Sequence, residues 1–166
     1  FGANELTDAF LVAFRIPNFF RRLFAEGAFS QAFLPILAES KANQSDEEVQ
    51  LVINHIATKL LSILMIITLI AIVIAPIIIL LFAWGFYFKA DATQFQLASD
   101  MLRITFPYLL LISLTALSGS ILNTYDNFII PAFTPVLLNI SLILSAVFLS
   151  KYLSTPIMAL AWGVLF

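Results

Sequence analysis

The sequence predicts an all-α, polytopic transmembrane helix bundle, and three observations carry that prediction. Hydrophobic residues make up 61% of the 166 residues, charged residues only 11%, and mean hydropathy is +1.02, whereas a soluble domain is roughly 25% charged. Between Leu60 and Phe88 the only ionisable side chain is Tyr87, a run longer than the roughly 20 residues that cross a hydrocarbon core as a helix. Ile104–Thr124, Phe128–Ser150 and Tyr152–Phe166 are further uncharged runs, separated only by Tyr125-Asp126-Asn127 and by Lys151. Together with a charged first segment these give five expected hydrophobic helices, over about 5–40, 46–88, 93–124, 129–150 and 155–166, the last cut short. The chain starts at Phe1-Gly2 and stops inside an apolar run, so a partial N-terminal bundle, residues 1–166, is expected. Its first residues lack the pattern of a signal peptide.

The first segment, Asp8 to Glu39, carries Asp8, Arg15, Arg21, Arg22 and Glu26 in otherwise apolar sequence. A charge at a bilayer centre costs roughly 2.5–3.5 kcal/mol and each large aliphatic or Phe returns only about 0.3–0.6. These charges are therefore expected to face water, protein or one another, as charges along a substrate pathway do. On an ideal helix Asp8, Arg15, Arg22 and Glu26 fall within about 40° of each other, forming one polar stripe. Arg21 lies off that stripe, but Pro17 removes a backbone donor and can rotate one half against the other, so either arginine can face a cavity. Arg22 and Glu26 are an i,i+4 pair. The cluster reads either as interfacial anchors and structural ion pairs or as a cationic cavity lining for an anionic substrate, since arginine's planar fork suits phosphate.

The polar loop Ala38 to Glu48 should lie in water, and Ser45 with Glu48 reads as a capping box that starts the second helix. Pro76 should kink that helix without ending it, because neighbouring helices and water can satisfy the freed carbonyl. Trp84, Phe86, Tyr87 and Phe88 look like an interfacial aromatic belt, and Asp91 or Thr93 can cap the third helix. In that helix Ala116 and Ser120 flank Gly119 at a spacing that permits close helix contact. The turn at Asn123 to Asn127 is short enough to make the next connection an antiparallel hairpin. Pro131 and Pro135 then predict a distorted start to the fourth helix, with Asn139 as a packing or cavity residue. Lys41 and Lys59 on one side and Lys89, Arg103 and Lys151 on the other leave the positive-inside count undecided.

Several functions are disfavoured by what the chain contains. Zero cysteines exclude disulfides and thiolate metal sites, and a net charge of −2 without a basic block gives no reason to expect nucleic acid. No glycine-rich phosphate loop, nucleophile motif or pair of metal ligands is visible, and His55 is a lone histidine near a helix start, so no catalytic residue is assigned and an enzyme is not expected. No cofactor is evident, although a coupling ion or the membrane potential is compatible with the pattern.

The blocks FGANELTDAF and FRIPNFFRRLFAEGAFSQAFLPILAE, followed by ITFPYLLLISL, GSILNTYDNFIIPAFTPVLLNIS and ALAW, resemble the MurJ/MviN lipid II flippases of the multidrug/oligosaccharidyl-lipid/polysaccharide exporter superfamily. The resemblance runs through essentially the whole chain and is weakest over Val49 to Lys89. It implies part of one lobe of a fourteen-helix flippase, completed by the remaining helices of the full-length chain. It also implies a multi-pass protein of the bacterial inner membrane that moves lipid II, the lipid-linked peptidoglycan precursor, between leaflets by alternating access. By the same resemblance Arg21 contacts the diphosphate, Asp8 acts in gating, and Glu26 serves charge balance or gating, with Arg22, Arg15 and Asn18 as second choices. Two alternatives stay open: another lipid-linked oligosaccharide or drug exporter of the superfamily, and a membrane scaffold without transport.

Overall fold

The computed structural model describes residues 5–22, 28–83 and 92–166, and the described residues contain helices and no strand. Helix α1 spans Glu5–Arg21, α2 Ala28–Asn43, α3 Asp46–Val73, α4 Ala75–Phe82, α5 Ala92–Thr105, α6 Tyr108–Thr124, α7 Ile129–Phe148 and α8 Met158–Leu165. A short 3-10 turn, Leu149–Lys151, follows α7. Three helical stretches among the described residues are long and apolar enough to cross a membrane: Asp46–Val73, Thr93–Thr124 and Ile129–Lys151. The expected first helix is described as α1 and α2 on either side of residues 23–27, and the last as the eight-residue α8. The aromatic cluster Trp84–Phe88, Lys89 and Asp91 lie outside the described residues.

Local chemistry sets the ends and bends. Ser45 caps α3: its hydroxyl accepts from the Glu48 amide, and the Glu48 carboxylate accepts from the Ser45 amide at 3.0 Å, satisfying two donors that a helix start leaves over. At the far end of this long helix Ile74 leaves helical geometry (φ −93, ψ 15) and α4 begins with Pro76 in its first turn. The kink is the one Pro76 demands, since it has no N–H to offer the Ile72 carbonyl. Pro107 separates α5 from α6 in the same way. At the end of α6 the Asn127 amide bonds to Leu122 O at 2.9 Å and the Asp126 amide to Asn123 O at 3.1 Å. Asp126 takes the left-handed conformation, φ 60, that this pair of bonds requires. That turn folds α7 back against α6 as the short connection requires.

Packing centres on α5, which touches α1, α4 and α8, while α3 packs on α6 and α2 bridges α3 and α6. Ala98, Met101, Leu102 and Leu109 are fully buried and Phe106 almost so. On α1, Ala9 and Ala13 are fully buried as well, and their small side chains let the α1 and α5 backbones approach closely, which is how membrane helices gain dispersion contact. Helix hydroxyls mostly return to their own ladder, as in Thr115 Oγ1 to Leu111 O and Ser120 Oγ to Ala116 O, both 2.9 Å. Thr68 Oγ1 and Ser113 Oγ are buried without a hydrogen-bond partner among the described residues.

Candidate functional site

The α1 face next to the one buried on α5 carries Phe14, Asn18 and Arg21. Their spacing, i, i+4 and i+7, keeps the three within about 60° of one another around the helix. They open onto a cavity of about 640 Å³ whose other walls are α6 and α7. Tyr108, Ile112 and Leu138 make its apolar lining, and Thr115, Ser120, Asn123 and Thr134 its neutral polar lining. Gly119 and Pro131 meet across the α6–α7 seam, where a Cβ on Gly119 would stand 3.4 Å from Pro131 Cβ. The small residues at 116, 119 and 120 thus give both a close helix contact and room for the cavity.

Among the described residues Arg21 is the only charged side chain in this lining. Its Nε donates to Asn18 Oδ1 at 2.8 Å, one turn back on the same helix, which fixes the plane of the guanidinium. Thr115 and Ser120 spend their hydroxyl protons on their own helix, so they offer acceptor lone pairs to the cavity. Donors for an anion in this lining include the Arg21 guanidinium, the amides of Asn18 and Asn123 and the Thr134 hydroxyl. A half-buried guanidinium among apolar walls is stronger in its interactions than one in bulk water, because less solvent screens it.

The structure brings Arg21 and Asn18 together and sets Asp8, Arg15 and Arg22 apart. Arg15 is exposed and borders a separate groove of about 230 Å³ with Val12, Ile16, Phe19 and Phe82. Asp8 and Arg22 are exposed and absent from the cavity lining, and among the described residues Asp8 and Arg15 form no ion pair. Glu26 lies outside the described residues, so its pairing with Arg22 does too. The polar stripe expected through Asp8, Arg15 and Arg22 therefore runs down an outer face of α1, and the off-stripe Arg21 faces the cavity. Periodicity groups residues by face; burial of Ala9, Ala13 and Ile16 chooses which face turns inward. Asn139 is exposed one position beyond the cavity-lining Leu138, so it neither packs in the core nor lines the cavity. His55 is exposed on α3. Sequence reasoning missed Tyr108, Thr115, Asn123 and Thr134; only Asn123, a polar residue in a hairpin turn, carried a visible signal.

The family model described as lipid II flippase MurJ matches residues 1–166. The chain belongs to the lipid II flippase MurJ family. Among its relatives, the lipid II flippase MurJ of Burkholderia cenocepacia is 48% identical over 165 residues, covering 99% of this chain and 32% of that protein. The probable lipid II flippase MurJ of Haemophilus influenzae is 44% identical, covering 98% of this chain and 33% of that protein. A solved structure described as lipid II flippase MurJ in an inward closed conformation superposes with a TM-score of 0.76 at 31% identity, covering 97% of this chain and 33% of the other. The chain thus spans about a third of the length of the MurJ proteins it matches. The resemblance carried by the TDAF and FRIPNFFRR blocks is borne out over the whole chain, and so is the all-α membrane bundle.

Proposed function

We propose that this MurJ-family chain is part of a lipid II flippase: a transporter, not an enzyme, of the bacterial inner membrane that serves peptidoglycan and cell-wall biogenesis. Lipid II, carried from the cytoplasmic to the periplasmic leaflet, is its substrate, membrane lipids surround it, and the remaining helices of the full-length chain complete the cavity. The observation that carries this reading is the cavity of about 640 Å³ between α1, α6 and α7, into which Arg21, held by Asn18, brings a positive charge.

The physical requirement is simple. A diphosphate-linked sugar and peptide headgroup cannot enter hydrocarbon unaided, because an unpaired charge there costs many kcal/mol of lost hydration. A cavity with polar walls and a fixed guanidinium offers replacement hydrogen bonds, while the polyprenyl tail stays in lipid. In this reading Arg21 contacts the diphosphate and Asn18 positions it; Asp8 acts in gating and Glu26 in charge balance or gating. Arg15 and Arg22, outside this cavity wall, take second rank. Alternating access, biased by an ion gradient or the membrane potential, moves the headgroup across.

The test is complementation in cells depleted of their own lipid II flippase, using the full-length gene and its Arg21→Ala and Arg21→Lys variants at matched membrane levels. Rescue is expected from wild type, none from Arg21→Ala, and weak rescue from Arg21→Lys, which keeps the charge but loses the fork. A well-expressed wild type that fails to rescue would redirect the assignment to another lipid-linked substrate, and rescue by Arg21→Ala would remove Arg21 from the mechanism.

A further inference from the structure

Two prolines next to α5 each deprive a carbonyl of its helical donor, and each carbonyl finds a donor on α5. Pro17 has no N–H for the Ala13 carbonyl, and Thr105 Oγ1 lies 3.4 Å from that oxygen. Pro76 has none for the Ile72 carbonyl, and Arg103 Nε donates to that oxygen at 3.3 Å. The two acceptors sit on different helices, 59 positions apart in the chain, yet at the same place relative to their prolines, four residues before. The two donors sit two positions apart on α5.

We propose that α5 is a staple for the two proline-containing helical stretches beside it, with Thr105 and Arg103 as positioning residues that hold α1 at Pro17 and the α3–α4 kink at Pro76. Thr105 is fully buried, so no water competes for the Ala13 carbonyl, and a carbonyl left bare in a membrane protein interior is unfavourable. The hydroxyl has one proton and a second acceptor, Leu102 O in its own helix, also at 3.4 Å, so it shares that proton between helices. Arg103 is oriented by Asp100, whose Oδ1 accepts from Nη1 at 2.8 Å and balances the charge, leaving Nε aimed at Ile72. The consequence for the cavity is direct: Pro17 immediately precedes Asn18, so the contact through Ala13 holds the turn of α1 from which Asn18 and Arg21 project. The staple holds whatever the cavity carries and does not depend on the flippase reading.

Double-mutant cycles in the full-length protein test it, because replacing a proline by alanine returns a backbone N–H to the same carbonyl. Arg103→Met with Pro76→Ala and Thr105→Val with Pro17→Ala are the matched pairs; exchanging the proline partners gives crossed pairs. The readout is the thermal unfolding midpoint of purified protein, with hydrogen exchange of the amides around residues 13 and 72. Each α5 substitution alone is expected to lower the midpoint, the matched proline substitution to recover most of that loss, and the crossed one to recover none. Thr105→Ser, which keeps the donor, should stay near wild type. If an α5 variant yields no folded protein, recovery of folded protein in the matched pair alone reads the same way. Additive losses in the matched pairs, or equal behaviour of matched and crossed pairs, would overturn the staple and leave Thr105 and Arg103 as packing residues.

Discussion

Helix α5 carries Asp100, Arg103 and two glutamines in fourteen residues, and α7 carries no charge in twenty. Yet Ala98, Met101, Leu102 and Thr105 of α5 are fully buried, while Ser145 is the one buried residue of α7. In water the more apolar helix would be the inner one, because burial of apolar area drives folding. In a bilayer, lipid tails solvate leucine as well as another helix does, so the apolar α7 gains little from burial. The polar side chains of α5 that do lie inside, Gln94, Ser99 and Thr105, gain from burial against protein, because lipid cannot satisfy them. Ile129, Phe133, Leu137, Ile143 and Phe148 stay on the outside of α7, and Pro131, Thr134, Pro135 and Leu138 turn to the cavity.

The contrast can be attacked at the point where α7 is packed most closely. A Cβ on Gly163 of α8 would stand 2.8 Å from Ser145 Cβ and 3.2 Å from Leu142 Cα, against backbone that cannot step aside. Gly163→Val is therefore expected to cost about 3 kcal/mol through forced separation of α7 and α8, and to break the 2.7 Å bond from Ser141 Oγ to Gly163 O. Thermal unfolding of the full-length variant checks this, and a near-normal midpoint would mean that α7 is held far more loosely than its geometry says. Next in size, Leu102→Ala should cost about 2 kcal/mol through lost dispersion and the cavity it leaves. Ile143→Ala, at an outward position of α7, should cost less than about 0.5 kcal/mol. Equal losses at the two positions would erase the distinction between the helices. No loss is expected at Gly119→Ala, where the new methyl makes an ordinary 3.4 Å contact with Pro131. Helix propensity alone then favours alanine by up to about 1 kcal/mol, so the midpoint should hold or rise; a clear drop would show that α6 and α7 sit closer than described.

Those expectations also show how much could be read in advance. The uncharged runs announced the membrane helices and the Ser45/Glu48 pair announced the start of α3, whereas Pro76, expected to kink that helix without ending it, stands where α3 ends at Val73 and α4 begins at Ala75. The donor that answers the kink was not legible, because Arg103 is far from Ile72 in sequence and was read only as a charge on one side of the membrane. The first helix was legible only in part, because its pattern left open whether Arg21 or Arg22 faces the cavity. Its charges form a true stripe, yet Asp8, Arg15 and Arg22 are exposed and Arg21 faces the cavity.

Covalent facts of the chain settled what each segment had to be: apolar length made helices, missing proline N–H groups made bends, and the TDAF and FRIPNFFRR blocks carried family membership. Periodicity even listed which side chains travel together on α1. Tertiary structure decided which of those faces looks inward, because that choice belongs to the neighbour: Ala9 and Ala13 fit against α5, and once they do, Phe14, Asn18 and Arg21 have no other place to point than the space between α6 and α7. A helix wheel fixes angles within one helix, and a cavity needs the angle between three.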